Sequence, residues 1–184
     1  MVNFYISDCH FGHKNIVAYD HRPFFSVDEM DAEMIRNWQS VVSDNDTVYI
    51  LGDFCWNNAT RWNEILDQLP GYKVAILGNH DQVLVRNKEL QKRFVHVTSY
   101  MEIRDGKHDI VLCHFPIPIY KNLHCGWYHF YGHVHETVDY EMTKKFLSEV
   151  SAKYEVPIRA YNVCATLLGY TPRTFDEITS KTGG

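Results

Sequence analysis

The sequence predicts an α/β protein in which two sheets are packed between helices. In the first half of the chain, short apolar runs typical of buried strands alternate with amphipathic helical segments, which indicates parallel strands joined by helices. In the second half, a hairpin signal and further apolar runs indicate more strands. The 184 residues match the size of one domain, and no linker, repeat or low-complexity tract interrupts them. We therefore predict a single domain spanning residues 1–184.

The first half predicts three buried strands separated by helices. The strands are Val2–Ser7, Thr47–Leu51 and Tyr72–Leu77. Ser26 followed by Glu29 forms a capping box, the usual signal for the start of a helix. The predicted helices are Val27–Val42, a segment from about Ala59 to the Pro70-Gly71 stop, and a charged segment from about Gln82 to Arg93.

The second half begins with a predicted hairpin, because Asp105-Gly106 is a strong two-residue turn signal. The predicted strands of this half are Tyr100–Arg104, His108–Cys113, Trp127–Tyr131 and Arg159–Ala165. Glu141–Tyr154 predicts an amphipathic helix whose apolar face carries Met142, Phe146, Val150 and Tyr154. A second capping box, formed by Thr174 and Glu177, predicts a short C-terminal helix.

Composition limits the classes of partner. No apolar run approaches the ~20 residues of a membrane span, and the N-terminus lacks the basic and apolar regions of a secretory signal. The formal net charge of −5 argues against stable binding to a nucleic-acid backbone. Five cysteines without a CxxC pair are typical of a reducing compartment. We expect a cytoplasmic protein with no membrane partner.

Side chains that can bind metals follow five of the predicted strands. They are Asp8 and His10; Asp53; Asn79, His80 and Asp81; His114; and His133 and His135. Sites in α/β sheets form outside the carboxyl ends of the strands. Side chains two apart point to the same side of an extended segment, so we expect Asp8 to converge with His10, and His133 with His135. Any one of these residues alone could be a turn or cap residue. Such residues at five consecutive strand ends are hard to explain without a binding site.

The donor types indicate two divalent ions. Carboxylate, imidazole and amide oxygen without thiolate suit Mn, Fe, Zn, Ni or Co. Seven ligands are too many for one ion but suit two that share a bridging carboxylate, as in two-metal sites for displacement at phosphorus. The glycines before Asp53, Asn79 and His133 are expected to permit close approach of the backbone.

The ordered set of motifs resembles a known family. Asp8-x-His10, Gly52-Asp53, Gly78-Asn79-His80-Asp81, His114 and Gly132-His133-x-His135 resemble the calcineurin-like metallophosphoesterase signature. The short chain is similar to the compact bacterial and phage-type phosphoesterases of that superfamily. The resemblance implies a four-layer α/β/β/α sandwich, with two mixed sheets flanked by helices.

The resemblance also implies a role for each residue. The first metal would be bound by Asp8, His10 and His135, and the second by Asn79, His114 and His133. Asp53 would bridge the two ions, which we expect to be manganese, with Fe, Zn, Ni or Co as alternatives. His80 would face the substrate as the catalytic residue. The implied activity is hydrolysis of a phosphodiester or a small nucleotide-like phosphate ester by a metal-bound hydroxide.

The residues after Asp53 differ from the pattern of one branch of the family, and this difference limits the class of substrate. In the Ser/Thr phosphatase branch, an Asp and an Arg follow the Gly-Asp motif, whereas here Phe54-Cys55-Trp56-Asn57 follows Asp53. That motif therefore supplies neither an acidic partner for His80 nor an arginine for phosphate. This favours a small diester over a phosphoprotein.

Two further residues are candidates for substrate binding. His13 either lines the mouth of the site or lies in a loop, and Arg22 either contacts a substrate phosphate or belongs to a solvated loop. Both lie in the long segment Phe11–Ser26, which we expect to shape access to the site. The alternative functions are a nuclease of the same superfamily and a non-catalytic metal-binding interaction module.

Overall fold

The computed structural model describes residues 1–180, and these contain two mixed sheets. The strands of the first sheet are β1 (Asn3–Ile6), β2 (Thr47–Leu51), β3 (Tyr72–Ile76), β4 (His96–Thr98) and β9 (Arg173–Thr174). Their order is β4-β3-β2-β1-β9. The first four strands are parallel, and β9 pairs antiparallel with β1 at the edge.

The second sheet contains the predicted hairpin. Its strands are β5 (Tyr100–Asp105), β6 (His108–Cys113), β7 (Tyr128–Tyr131) and β8 (Ala160–Asn162), in the order β5-β6-β7-β8. The hairpin strands β5 and β6 are antiparallel, whereas β6, β7 and β8 run parallel. The sheets pack against each other through a common apolar core, in which the ring of Tyr5 meets the edge of Phe130 at 4.9 Å between centroids.

Helices flank the two sheets, which confirms the predicted fold class. They are α1 (Ile16–Tyr19), α2 (Val27–Val41), α3 (Ala59–Leu66), α4 (Gln82–Arg86), α5 (Lys88–Gln91), α6 (Val138–Tyr154) and α7 (Phe175–Ser180). The side chain of Ser26 accepts a hydrogen bond from the Glu29 amide at 3.1 Å, so α2 begins where the capping box predicts. Among residues 1–180, no helix combines the length and the hydropathy needed to cross a bilayer.

The predicted helix from Gln82 to Arg93 is two helices. Asn87 has an extended backbone, and its side chain accepts a hydrogen bond from the Leu90 amide at 3.0 Å. It therefore caps α5 and separates it from α4, because an N-cap residue lies outside helical geometry. The sequence does not predict α1, β4 and β9, which are elements of only two to four residues.

Asp105, at the tip of the hairpin, ties the second sheet to the first. One oxygen of its carboxylate accepts a hydrogen bond from the buried Tyr5 hydroxyl at 2.8 Å, and the other accepts one from the Asn3 side chain at 3.0 Å. Burial and the neighbouring Asp105 carboxylate both raise the pKa of Tyr5. The phenol therefore stays neutral and remains a hydrogen-bond donor.

We predict that Asp105→Ala lowers the free energy of unfolding by about 1–3 kcal/mol, because it leaves the buried Tyr5 hydroxyl without an acceptor. Tyr5→Phe should cost less, since it removes the donor together with its need for a partner. Urea denaturation measures both. The control is Asp109→Ala in the same hairpin, whose carboxylate forms a long, partly exposed pair with Arg104 at 3.9 Å. Equal stability of the two alanine variants would contradict the prediction.

Candidate metal centre

The candidate ligands lie in sharp turns at the carboxyl ends of β1, β2, β3, β6 and β7. Five of them have a left-handed backbone, with φ of 53° at Asp8, 54° at His10, 51° at Asp53, 70° at His133 and 44° at His135. An L-residue in this region costs roughly 1–2 kcal/mol. Such strain persists only where the surroundings enforce it, and it concentrates at functional sites.

Asp8, His10 and His135 form a first cluster whose ligand atoms all lie within 4.8 Å of one another. The Nε2 atom of His135 is 3.3 Å from Asp8 Oδ1 and 3.3 Å from His10 Nε2. Asp8 and His10 are buried, and His135 is half-buried. This group can hold one metal ion.

Asp53, His114 and His133 form a second cluster with ligand atoms within the same 4.8 Å limit. The amide oxygen of Asn79 is 3.1 Å from His114 Nε2, so Asn79 joins this group. His133 and His135 thus belong to different clusters, and the expectation that they converge was wrong. The alternation rule assumes an extended backbone, and both residues are left-handed, so the rule does not apply to them. Asp8 and His10 are left-handed as well, and their meeting in one cluster therefore does not follow from alternation either.

The carboxylate of Asp53 lies between the two clusters. Its Oδ2 atom is 3.8 Å from His10 Nε2 in the first and 3.6 Å from His114 Nε2 in the second. Its Oδ1 atom accepts a hydrogen bond from the His80 amide at 2.9 Å. One oxygen is therefore held by the backbone while the other faces both clusters.

Hydrogen bonds to Nδ1 orient two of the histidines. His114 donates from Nδ1 to the Leu51 carbonyl at 2.8 Å, and His135 donates from Nδ1 to the Asp20 carboxylate at 2.8 and 2.9 Å. Since a carbonyl and a carboxylate only accept, Nε2 of each ring is left to face its cluster. Such partners raise the basicity of a ligand and fix its direction.

Arg22 is buried behind the first cluster, where it stabilises the backbone of the ligand turn after β1. Its guanidinium is fully buried and donates to the carbonyls of Asp8 and Cys9 at 2.9 Å each. It also binds the Asp20 carboxylate at 2.9 and 3.1 Å. The expectation that Arg22 contacts a substrate phosphate was therefore wrong, because all three guanidinium nitrogens donate to acceptors inside the protein.

Asp81 joins the turns after β2 and β3. Its Oδ2 atom accepts hydrogen bonds from the amides of Gly78 at 2.8 Å and Asp53 at 3.0 Å, and Oδ1 accepts one from Phe54 at 3.2 Å. Burial raises its pKa, an effect these hydrogen bonds oppose. The side chain thus holds the backbone of Asp53 in place rather than orienting His80.

Two of the glycines named above are required by space alone. A Cβ atom at Gly78 would overlap Asp53 Oδ1, and one at Gly132 would overlap Asp8 Oδ2 and the Ser7 hydroxyl. Neither residue has a left-handed backbone. These glycines let neighbouring turns approach the buried carboxylates, as the sequence predicts.

His80 and His13 lie at the open side of the first cluster, with Trp56 between them. The Trp56 ring is 4.0 Å from that of His13 and 4.8 Å from that of His80, between centroids. The His80 side chain is 43% exposed, and its Nε2 atom is 4.0 Å from Asp53 Oδ2. His13 is half-buried and lies 5.6 Å from the His10 ring, so it lines the mouth of the site.

The pKa shifts follow from burial and pairing. Burial raises the pKa of Asp8, but the hydrogen bond with His135 and the neighbouring histidines outweigh it and hold the pKa well below its usual range. Burial lowers the pKa of His135, but its hydrogen bonds with Asp20 and Asp8 raise it to about 9. Burial, together with the nearby His135 and Arg22, holds the pKa of His10 well below 6.5, although the Asp8 carboxylate acts in the opposite direction. The cluster thus combines an anionic carboxylate with an uncharged imidazole.

The donor set fits two divalent ions. Each cluster combines a buried carboxylate with two imidazoles, Asn79 adds an amide oxygen, and no thiolate is among them. Imidazole and carboxylate donors suit first-row divalent metals. The two clusters and the shared Asp53 carboxylate match a dinuclear arrangement.

Sequence comparison finds relatives over part of the chain. A 79-residue stretch is 49% identical to an uncharacterized protein of Methanocaldococcus jannaschii and covers 42% of this chain and 45% of that protein. The gene 66 protein of Mycobacterium phage L5 is 34% identical over 132 residues, covering 61% of this chain and 62% of that protein. The chain thus spans about half to three-fifths of the length of these curated relatives. No protein-family model matches the chain.

A solved structure shares the fold over nearly the whole chain. The crystal structure of AQ665, a protein of unknown function from Aquifex aeolicus, superimposes with a TM-score of 0.64 at 24% identity, over 97% of this chain and 98% of that one. An archaeal phosphodiesterase gives a TM-score of 0.46 at 21% identity, over 75% and 76% of the two chains. The likeness to AQ665 extends over nearly the whole chain and supports the two-sheet architecture.

The carboxylate of Asp20 should strengthen metal binding at the first cluster, because it orients His135. Asp20→Ala should weaken binding of Mn²⁺ at the first cluster by about 10- to 100-fold, because His135 loses the partner that directs its Nε2 atom. Asp20→Asn, which keeps an acceptor but loses the charge, should show a smaller loss. Isothermal titration calorimetry measures both, with the exposed turn variant Asp44→Ala as control. Wild-type affinity in Asp20→Ala would refute this role.

Proposed function

We propose that this chain is a metal-dependent phosphoesterase of the calcineurin-like metallophosphoesterase superfamily. Asp8, His10 and His135 would hold one divalent ion, and a second would be held by Asn79, His114 and His133. The observation that carries the proposal is the position of Asp53 Oδ2, which faces His10 and His114 at 3.8 and 3.6 Å. A carboxylate shared in this way supports two ions close enough to act on one phosphoryl group.

The chain's own residues prepare this site for a phosphate ester. Bound divalent ions would neutralise charge on the phosphoryl oxygens and lower the pKa of a water molecule, which is the chemistry this donor set can recruit. Hydrogen bonds hold the ligands in place before a substrate binds. Asp81 accepts from the amide of Asp53. Arg22 donates to the carbonyl of Asp8, and Asp20 accepts from His135. Fixed groups of this kind need no reorganisation during the reaction.

His80 is the residue best placed to act on the substrate. Its backbone amide is anchored on Asp53, while its imidazole projects to the open side of the clusters. Within residues 1–180 its side chain has no carboxylate hydrogen-bond partner, since Asp81 is engaged with backbone amides. We propose that His80 stabilises a phosphoryl oxygen or gives a proton to the leaving oxygen, without the acidic partner that would strengthen an acid role.

The charge of the site favours a diester over a monoester. Within the part of the chain that the structure describes, Asp8 and Asp53 form ion pairs only with histidines, and the guanidinium of Arg22 is fully buried. A monoester brings up to two negative charges, whereas a diester brings one. Because no arginine or lysine within residues 1–180 pairs with Asp8 or Asp53, the site suits the singly charged diester better than the monoester.

Aromatic rings on two sides of the clusters fit a substrate with flat substituents. Phe115 is 44% exposed and packs against His133 of the second cluster at 4.6 Å between ring centroids. Trp56, with His13, lies beside His10 of the first. We propose a small phosphodiester of the nucleotide type, with one planar group near each side. Manganese is the proposed metal, with Fe, Zn, Ni or Co as alternatives.

The test is hydrolysis of bis-p-nitrophenyl phosphate and p-nitrophenyl phosphate by the chelated protein, with and without added Mn²⁺. We expect metal-dependent turnover, faster on the diester. Asp53→Asn should abolish it, because the shared ligand loses its charge. His80→Ala should lower kcat by about 100-fold while bound metal stays unchanged. His96→Ala, a histidine exposed on edge strand β4, is the matched control and should behave as wild type.

Three results would contradict this proposal. Turnover that survives chelation or Asp53→Asn would place the activity elsewhere. Wild-type kcat in His80→Ala would remove His80 from the reaction. Full metal loading without turnover on either ester would favour the alternative of a non-catalytic metal-binding module.

A further inference from the structure

A cavity of about 670 Å³ lies between helix α6 and strand β8, apart from the candidate metal centre. Lys144 and Leu147 line it from the helix, and Tyr161 lines it from the strand. Among the described residues of its wall there is no candidate metal ligand. Pockets for small molecules typically have volumes of roughly 300–1,000 Å³, so this cavity has room for a small organic ligand.

Much of the cavity wall is apolar. Leu147, Leu168 and Ile178 are buried residues that line it, and Ile158 lines it as well. An apolar group that contacts this wall is removed from water, which is favourable. The wall therefore suits the apolar body of a ligand.

Tyrosine hydroxyls that lack a protein partner also line the cavity. Tyr131, at the end of β7, is 1% exposed, yet its hydroxyl makes no hydrogen bond within residues 1–180. The hydroxyls of Tyr140 and Tyr161 likewise have no partner among the described residues. Burial raises the pKa of Tyr131 and of Tyr140, so both phenols stay neutral and can donate. These hydroxyls are available to a ligand that supplies a hydrogen-bond acceptor.

Two other polar groups of the wall are already engaged. The side chain of Asn162 donates to the His135 carbonyl at 3.1 Å and accepts from the Cys164 amide at 3.0 Å. The hydroxyl of Ser151 donates to the Val156 carbonyl at 2.7 Å. The phenols are therefore the buried polar groups that remain free for a ligand.

Lys144 is the single charged residue among the described residues that line the cavity. Its ammonium lies 4.6 Å from the ring centroid of Tyr140, and Tyr140 in turn is close enough to Tyr131 to raise its pKa. The three groups are thus neighbours. Lys144 also pairs with Glu141 at 2.7 Å, but the two side chains are 48% and 68% exposed, so this ion pair is weak and can be exchanged.

We propose that the cavity is a second ligand site, which takes a small organic molecule with an apolar body and one carboxylate. The body would contact Leu147 and Leu168, while the carboxylate would accept from the Tyr131 hydroxyl and pair with Lys144. A single negative charge matches one lysine and neutral phenols, whereas a doubly charged phosphate would bring a charge that no second cation of the wall balances.

Three probes test the site, namely phenylbutyrate, phenylbutanol and phenylbutylamine, which share an apolar body and differ in the charge of the head group. Isothermal titration calorimetry of the full chain at neutral pH should show the carboxylate binding about tenfold or more tighter than the alcohol, with the amine weakest. The affinity for phenylbutyrate should be the same with and without added Mn²⁺, because the described wall holds no candidate metal ligand. This result does not depend on whether the metal centre hydrolyses phosphate esters.

Variants of the cavity should change the affinity in opposite directions. Tyr131→Phe and Lys144→Gln should each weaken phenylbutyrate binding by about tenfold, because each removes one partner of the carboxylate. Lys144→Gln should leave phenylbutanol binding unchanged. Glu141→Gln should tighten phenylbutyrate binding, since it removes the competing partner of Lys144. The matched control is Lys145→Gln, an exposed lysine outside the wall, which should bind as wild type.

The substitutions keep side chains of similar size, and circular dichroism confirms that each variant is folded. Absence of binding by all three probes would overturn the proposal, as would equal affinity for the three. Binding of phenylbutyrate that requires Mn²⁺ would place the carboxylate at the metal centre instead. Wild-type affinity in both Tyr131→Phe and Lys144→Gln would contradict the proposed contacts.

Discussion

The carboxylate of Asp53 is the group on which the rest of the centre depends. It is buried, it faces a histidine of each cluster, and its own backbone has a left-handed conformation that is costly for aspartate. Asp81 holds the amide of Asp53, and the amide of His80 holds one of the Asp53 oxygens. Gly78 provides the space for this contact. The turn after β3 thus holds Asp53, which follows β2, through the side chain of Asp81 and the amide of His80.

The first cluster is supported in the same manner but from a different part of the chain. Arg22 binds the carbonyl of Asp8 and the carboxylate of Asp20, and Asp20 in turn binds His135. The segment Phe11–Ser26, which is expected to shape access to the site, is therefore also a structural support. A left-handed backbone at Asp8, His10 and His135 can persist because these buried hydrogen bonds outweigh its cost.

The strands and the ligands could be predicted because their signals are local. Apolar runs mark β1, β2 and β3, Asp105-Gly106 marks the hairpin, and a polar residue after each strand end marks a ligand. The supports could not be predicted, because Asp20 and His135 are 115 residues apart and nothing in their local sequence links them. The division of His133 and His135 between clusters depends on backbone angles, which side-chain periodicity does not encode. The prediction that Met142 and Phe146 share an inward apolar face with Val150 was wrong, since the two side chains are 65% and 48% exposed. Apolar residues at i, i+4 spacing mark one side of a helix but do not show whether that side is buried.

We propose that the two clusters hold two metal ions that share Asp53. Electron paramagnetic resonance of the protein titrated with Mn²⁺ distinguishes paired from isolated ions, because ions about 3.5–4 Å apart couple magnetically. We expect two Mn²⁺ per chain and an exchange-coupled spectrum, which Asp53→Asn should convert to that of isolated ions. Two bound ions with an uncoupled spectrum in the wild type, or binding of a single ion, would contradict it.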